Sequence, residues 1–347
     1  MNTVLRVGFI PLVDAASLIV AAHKGFAAAQ GLALDLQRQM SWATIRDRIA
    51  TGRLDAAHML APMPIAAALG MPKGAPRLIA PVALGYNGNA VTVSERLWSA
   101  MVEQGATETG DPAANGAALA RVVQARPAGS GPLSLAVVFP FSPHRYELLD
   151  WLSGAGLVPE RDVRLPVVPP PFMADALEAG LIDGFCVGEP WNSAAILGGH
   201  GRLATTKAAL MGRGPEKVLA LRADWAEAHE ESALALTRAI VGAARWCDAP
   251  ENREELVALL AASDALDCPP EQLRPVLSGE LPLDATRRLC APEAIVFHAE
   301  GATEPSLGHA EWFYRQMTRW GDAPGGAEAR AAALACFRPD LYARALG

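Results

Sequence analysis

The side chains able to hold a ligand fall at the ends of apolar runs, and most of them are hydrogen-bond donors. From the first half come Trp42 in "MSWATIRDRI", His58 in "LDAAHML" and Asn89 in "GYNGNAVTVS". From the second come His144 in "FPFSPHRYELL", Gly188, Glu189 and Trp191 in "GLIDGFCVGEPWN", and Lys217 after "GRGPE". An indole N–H, an amide, imidazoles, one ammonium and backbone N–H groups at helix starts form a set suited to a small anion. The chain has no G-x-G-x-x-G and no G-x-x-x-x-G-K-[ST], and its five cysteines form no CxxC or other metal spacing, so neither a cofactor nor a metal is expected. Glu189 lacks the partner acid, base or nucleophile that a catalytic carboxylate needs, and no Ser–His–Asp arrangement is legible, so the chain does not read as an enzyme.

Several of these residues have a purely structural reading as well. Trp42 also fits a helix start half-buried in the core, and His58, mid-strand among apolar neighbours, fits a core histidine. Glu189, Pro190 and Trp191 suit a rigid strand-to-helix corner.

The elements that must position these groups occur twice. "TGRLDAAHMLAPMP" (51–64) and "AGLIDGFCVGEPWN" (179–192) share a layout 128 positions apart, matching Asp55 with Asp183, His58 with Cys186 and Pro62 with Pro190. Upstream, "VGFIPL" (7–12) pairs with "AVVFPF" (136–141), each run leading into a helix. Each unit reads as strand, helix, strand, short helix and Asp-bearing strand. Asp14 is expected to cap a helix over 14–30, and Ser41, Asp111 and Ser142 look like further caps. Asp55 and Asp183, at matching positions, suggest a shared role in the turn.

Strands alternating with helices imply an α/β protein whose parallel-rich sheets are flanked by helices, with the ligand beyond the strand ends. A two-lobed arrangement follows: lobe I from 1–92 plus 195–347, lobe II from 93–194. The chain would cross between them near 85–95 and 190–196. Beyond 195 the pattern is mostly helical, with one strand candidate at "KVLALR" (217–222).

At 347 residues, 51% hydrophobic and 19% charged, the chain can fill two cores. A formal charge of −7 without a Lys/Arg stripe argues against direct nucleic-acid binding. No run of about 18 apolar residues suggests a membrane span. "MNTVLRVGFIPL" leaves no room for a signal peptide, and the odd cysteine count suits a reducing compartment, so the cytoplasm is expected.

Taken together, "SWATIRDRI", "DAAHMLAPMP", "NGNAVTV", "FPFSPHRYELLDWL", "VVPPPFMADALEAGLIDGFCVGEPWN" and "GPEKVLALRADW" resemble, in order, segments of the nitrate/bicarbonate-binding branch of the periplasmic-binding-protein superfamily. The resemblance implies a type II two-lobed fold that closes on its ligand by a hinge. It implies a nitrate or nitrite site made of Trp42, Asn89, His144, Gly188 through its N–H, and Lys217; His58, Pro62, Glu189 and Trp191 are further ligand candidates from their places at the strand ends. The family often has Gln at the Asn89 position; Asn donates with a shorter reach. Nitrate only accepts hydrogen bonds, and Lys217 is expected to have no carboxylate cluster around it, since neighbouring strand residues such as Glu216 point to opposite faces. That favours nitrate or nitrite over bicarbonate. Without a signal peptide, the resemblance is nearest to cytoplasmic nitrate/nitrite sensors that hold an ANTAR-type antiterminator protein. The alternatives are a substrate-binding protein of an ABC transporter for nitrate or bicarbonate, and an enzyme on the same scaffold of the thiamine-precursor or menaquinone type.

Overall fold

The computed structural model describes residues 2–127 and 129–347; Ala128, within the turn-rich 125–132 stretch, lies outside the described residues together with Met1. The first repeat unit folds as strands β1 (Thr3–Phe9), β2 (Leu32–Arg38) and β3 (Ala56–Leu60), with β1 parallel to both others. β4 (Leu78–Ala83) and the short β5 (Tyr86–Asn87) follow, leading into β6 (Asn89–Ser94). The second unit supplies β7 (Leu133–Ala136), β8 (Val163–Arg164) and β9 (Gly184–Gly188), with β7 parallel to both β8 and β9. β10 (Gly201–Thr206) and β11 (Lys217–Arg222) complete two five-stranded sheets, ordered β2-β1-β3-β11-β4 and β10-β6-β9-β7-β8.

Both sheets are mixed rather than purely parallel. β11 runs antiparallel to β3 and β4, and β6 runs antiparallel to β9 and β10. β6 and β11 are the strands the chain forms as it changes lobe, so no crossover helix turns them into the common direction.

The chain passes from the first sheet to the second between Ala83 and Asn89. The return, expected near 190–196, is not made there: Gly201–Thr206 still pairs with β6, and the chain regains the first sheet only at Lys217. "GRLATT" does not read as a strand in the sequence because its polar threonines hide a buried edge position. The two crossings are tied together, with Tyr86 bridged to Pro215 and Asn87 Oδ1 accepting from Gly214 N at 3.1 Å.

The repeat is visible in its turns. Arg6 N donates to Asp55 Oδ2 at 2.9 Å, and Ser134 N donates to Asp183 Oδ2 at 2.9 Å, each pair 49 residues apart. The matching aspartates thus pin matching strand starts, which is the structural role their recurrence suggests. Ser41, Asp111 and Ser142 cap their helices, accepting from Thr44, Ala113 and Arg145 backbone N–H groups. Asp14 caps nothing: it sits in a 3-10 turn at Val13–Ala15, the helix after it runs only from Ala16 to His23, and its carboxylate faces inward. No helix among the described residues is long and apolar enough to cross a membrane.

The segment after Arg222 is helical apart from two short antiparallel pairings, Glu280–Pro282 with Arg288–Cys290 and Ile295–Val296 with β5. Its long helix Glu230–Asp248 packs on Ala16–His23. A later helix, Leu307–Arg319, reaches the second lobe, where Gln316 Nε2 and Arg319 Nη1 donate to Asp150 at 2.6 and 2.8 Å.

Candidate functional site

Two capped helices aim their first residues into the space between the lobes. Ser41 and Ser142 end the preceding strands' loops, which places Trp42 at the first position of helix Trp42–Ala50 and His144 at the second position of Pro143–Gly154. Both side chains are wholly buried. Trp42 Nε1 has no hydrogen-bond partner, and neither has either nitrogen of His144, whose Nδ1 lies 3.5 Å from Glu216 Oε1 outside hydrogen-bond geometry. Buried donors are rarely left in this state.

Lys217 opens β11 beneath them, with Nζ 5.6 Å from the Trp42 ring centre. It lies 2.7 Å from Asp14 Oδ2 and 2.6 Å from Glu216 Oε1. The expectation that Lys217 lacks surrounding carboxylates is therefore overturned. Glu216 precedes the strand, so pleat alternation does not turn it away, and its backbone O accepts from Ala61 N at 3.1 Å. Glu216 also meets Lys207 Nζ at 2.5 Å, and Lys207 meets Glu147 Oε1 at 2.7 Å. Asp14, Lys217, Glu216, Lys207 and Glu147 thus form a buried chain of alternating charge.

Asn89 joins this chain at the start of β6. Its Nδ2 donates to Glu216 Oε2 at 2.7 Å and Glu147 Oε2 at 3.2 Å, which leaves Oδ1 without a partner. Gly188 is paired opposite Asn89 in the ladder. Glu189 N donates to Gly88 O at 2.9 Å, making Asn89–Gly188 the non-hydrogen-bonded pair, so the Gly188 N–H points away from β6. A Cβ at Gly188 would lie 3.3 Å from Leu12 Cδ2, 3.5 Å from Asn89 Oδ1 and 3.6 Å from Asp14 Oδ2. Gly188→Ala is therefore expected to fold with little loss, because only the Leu12 contact is tight, while the methyl narrows the space beside Asn89 and weakens anion binding about tenfold; titration calorimetry checks it, and unchanged affinity would place Gly188 outside the site.

Trp42, Asn89, His144, Gly188 and Lys217 are thus brought together. His58 belongs with them: its ring meets Trp42 edge-on at 5.2 Å, and its Nε2 stands 2.9 Å from Asp14 Oδ1, at an angle that makes this a close contact rather than a well-formed hydrogen bond. Its repeat partner Cys186 sits on the facing wall, 3.8 Å from Glu147 Oε2. Pro62, Glu189 and Trp191 take structural places. Pro62 is the first residue of helix Pro62–Ala68. The Glu189 carboxylate accepts from Ser193 N at 3.0 Å, and Trp191 Nε1 donates across the cleft to Pro11 O at 3.1 Å.

The residues missed in the sequence carry weak signals. Glu147 is three positions after His144 on the same helix face. Lys207 follows the cap Thr206, where the helix dipole disfavours a cation, so a buried partner was the clue. Gly214 keeps that lysine in place: a Cβ there would stand 2.4 Å from Lys207 Cε.

Burial works against every charge here, and the pairing decides the outcome. Asp14 is held well below the ordinary carboxylate range by Lys217 and His58 despite its burial. Lys207 and Lys217 bring Glu216 down to about 2. Asp14 and Glu216 keep Lys217 above the ordinary lysine value. Burial pushes His144 down to about 3 and lowers His58 as well, leaving both imidazoles neutral. Glu147 goes the other way: burial raises it, and Lys207, shared with Glu216, offsets this only in part.

Glu189, buried without a cation, is pushed up to about 7. The unfolded chain gives up this proton near pH 4.5 while the folded chain keeps it, so the fold loses stability as pH rises from about 4.5 to 7. Glu189→Gln is expected to leave stability unchanged at about pH 4 and to raise it by on the order of a few kcal/mol at about pH 8. Urea unfolding at the two pH values checks this, and an equal effect at both would contradict it.

A cavity of about 510 Å³ lined by Glu147, Asp150, Trp151, Leu210 and Trp312 shares only Glu147 with the charged chain. No group of His, Cys, Asp and Glu among the described residues is arranged to hold a metal ion.

Two mixed sheets meeting over an enclosed polar cluster define a periplasmic-binding-protein-like fold. The chain belongs to the NMT1-like family, whose pattern matches residues 2–261. It is 32% identical to the nitrate/nitrite binding protein NrtA of Synechococcus elongatus, over 99% of this chain and 78% of that one. It is 36% identical to the bicarbonate transport ATP-binding protein CmpC of Synechocystis sp., over 92% of this chain but 46% of that one, so it spans about half the length of such relatives. The crystal structure of the periplasmic nitrate-binding protein NrtA from Synechocystis PCC 6803 superposes with a TM-score of 0.90 at 28% identity, covering 99% of this chain and 88% of that one.

Proposed function

We propose that the chain is a nitrate- or nitrite-binding component of an anion import system, holding its ligand among Trp42, Asn89, His144, Gly188 and Lys217. The observation that carries this reading is the enclosed donor set: the Trp42 indole N–H and the His144 imidazole, buried without partners, beside the Lys217 ammonium. A planar anion that only accepts hydrogen bonds supplies what these donors lack. The transport names of the relatives favour this over the sensor reading.

Bicarbonate is the second reading. Asn89 Oδ1 is a buried acceptor without a partner, and a hydroxyl-bearing anion has a proton to give it. The carboxylates around Lys217 remove the sequence-based argument against it. Calorimetric titration with nitrate, nitrite and bicarbonate separates the two: saturable heat with nitrate or nitrite supports the main reading, and saturable heat with bicarbonate alone replaces it.

A cytoplasmic location is proposed with it, supported by five unpaired cysteines, four of them buried. There the protein would report the anion to a partner, an import ATPase or the antiterminator of the sensor reading, and co-purification from native cells tells these apart. Recovery of the chain with periplasmic markers would contradict the location.

A further inference from the structure

We infer that the anion is captured together with a proton, and that Glu147 holds it. This inference rests on the anion-binding reading above. The cluster contains three carboxylates, Asp14, Glu147 and Glu216, against two ammonium groups, Lys207 and Lys217, and every one of these side chains is nearly or fully buried. With His58 and His144 neutral, the enclosed charge is already negative by one carboxylate before any ligand arrives. A monoanion doubles that imbalance among side chains almost wholly removed from solvent, where an uncompensated charge is most costly.

The geometry singles out Glu147 as the carboxylate to be neutralised. Asp14 has Lys217 and His58; Glu216 has both lysines. Glu147 shares Lys207 with Glu216, and its other contacts, Asn89 Nδ2 and the Cys186 thiol, are neutral. The groups facing it are His144 from its own helix, Asn89 from β6, Cys186 from β9, Lys207 from helix Lys207–Met211, and Glu216 with Lys217 behind it; Asp150, which lines the same cavity, accepts from Gln316 and Arg319. His309 adds no charge, being kept neutral by burial and by Lys207. Burial raises the proton affinity of Glu147, in keeping with this assignment.

The test is titration of nitrate into the wild-type chain in pairs of buffers with different ionisation enthalpies, from about pH 6 to about pH 9. Proton uptake is expected to rise toward one per nitrate in the upper part of the range, where affinity falls by up to about tenfold per pH unit. Nitrate heat that is independent of buffer at every pH overturns the inference; no nitrate heat at all overturns the reading on which it rests. Glu147→Gln is expected to bind nitrate without proton uptake and without this pH dependence, and undiminished uptake in that variant overturns the assignment to Glu147. Should the variant fail to fold, infrared difference spectra of the wild type serve instead: a protonated-carboxyl band is expected to appear with nitrate, and its absence overturns the inference.

Discussion

Lys217→Ala is expected to abolish nitrate binding and to destabilise the ligand-free chain by about 3–5 kcal/mol. The reason is that Lys217 serves two purposes. Its ammonium is the cation available beside Trp42 and His144, and it also compensates Asp14 and Glu216, at 2.7 and 2.6 Å, among buried side chains. Truncation leaves two carboxylates repelling each other at full burial. Adding Asp14→Asn to Lys217→Ala is therefore expected to restore part of the stability and none of the binding, a non-additivity that reports the pair directly. Urea unfolding and calorimetry on Lys217→Ala, Asp14→Asn and the double variant check this. A stable Lys217→Ala protein with unchanged nitrate affinity would remove Lys217 from both roles.

His144→Leu is expected to separate binding from stability. The imidazole is buried, neutral and without a hydrogen bond, so the ligand-free fold gains nothing from its polarity. An apolar side chain of similar size should leave stability within about 1 kcal/mol of wild type or raise it. Nitrate affinity should fall about 10- to 100-fold, the value of a hydrogen bond to a charged ligand. Thermal unfolding without ligand and titration with nitrate give the two numbers. A large drop in melting temperature would show that His144 is a structural residue instead.

The sequence made the two-lobed α/β fold readable because its repeat preserves turn chemistry. Asp55 and Asp183 recur where a strand start must be pinned, and Ser41 and Ser142 announce the helices that deliver Trp42 and His144. The strands formed at the lobe crossings were less legible. Gly201–Thr206 is polar by composition and buried by position, and only long-range pairing with Asn89–Ser94 makes it a strand. The donors of the site stood out as unusual residues at strand ends. The charges that organise them did not, since Glu147, Lys207 and Glu216 look like surface residues until the fold encloses them. Asp14 shows the same limit, as a plausible helix cap whose carboxylate the tertiary structure spends on Lys217.

The central claim, that a planar anion sits between the lobes on this donor set, is tested most directly by a crystal structure of the protein grown with nitrate. The expected result is nitrate within hydrogen-bond distance of Trp42 Nε1, a His144 ring nitrogen and Lys217 Nζ, in a closed cleft. Nitrate bound elsewhere, or a closed cleft with these donors still unpartnered, would contradict it.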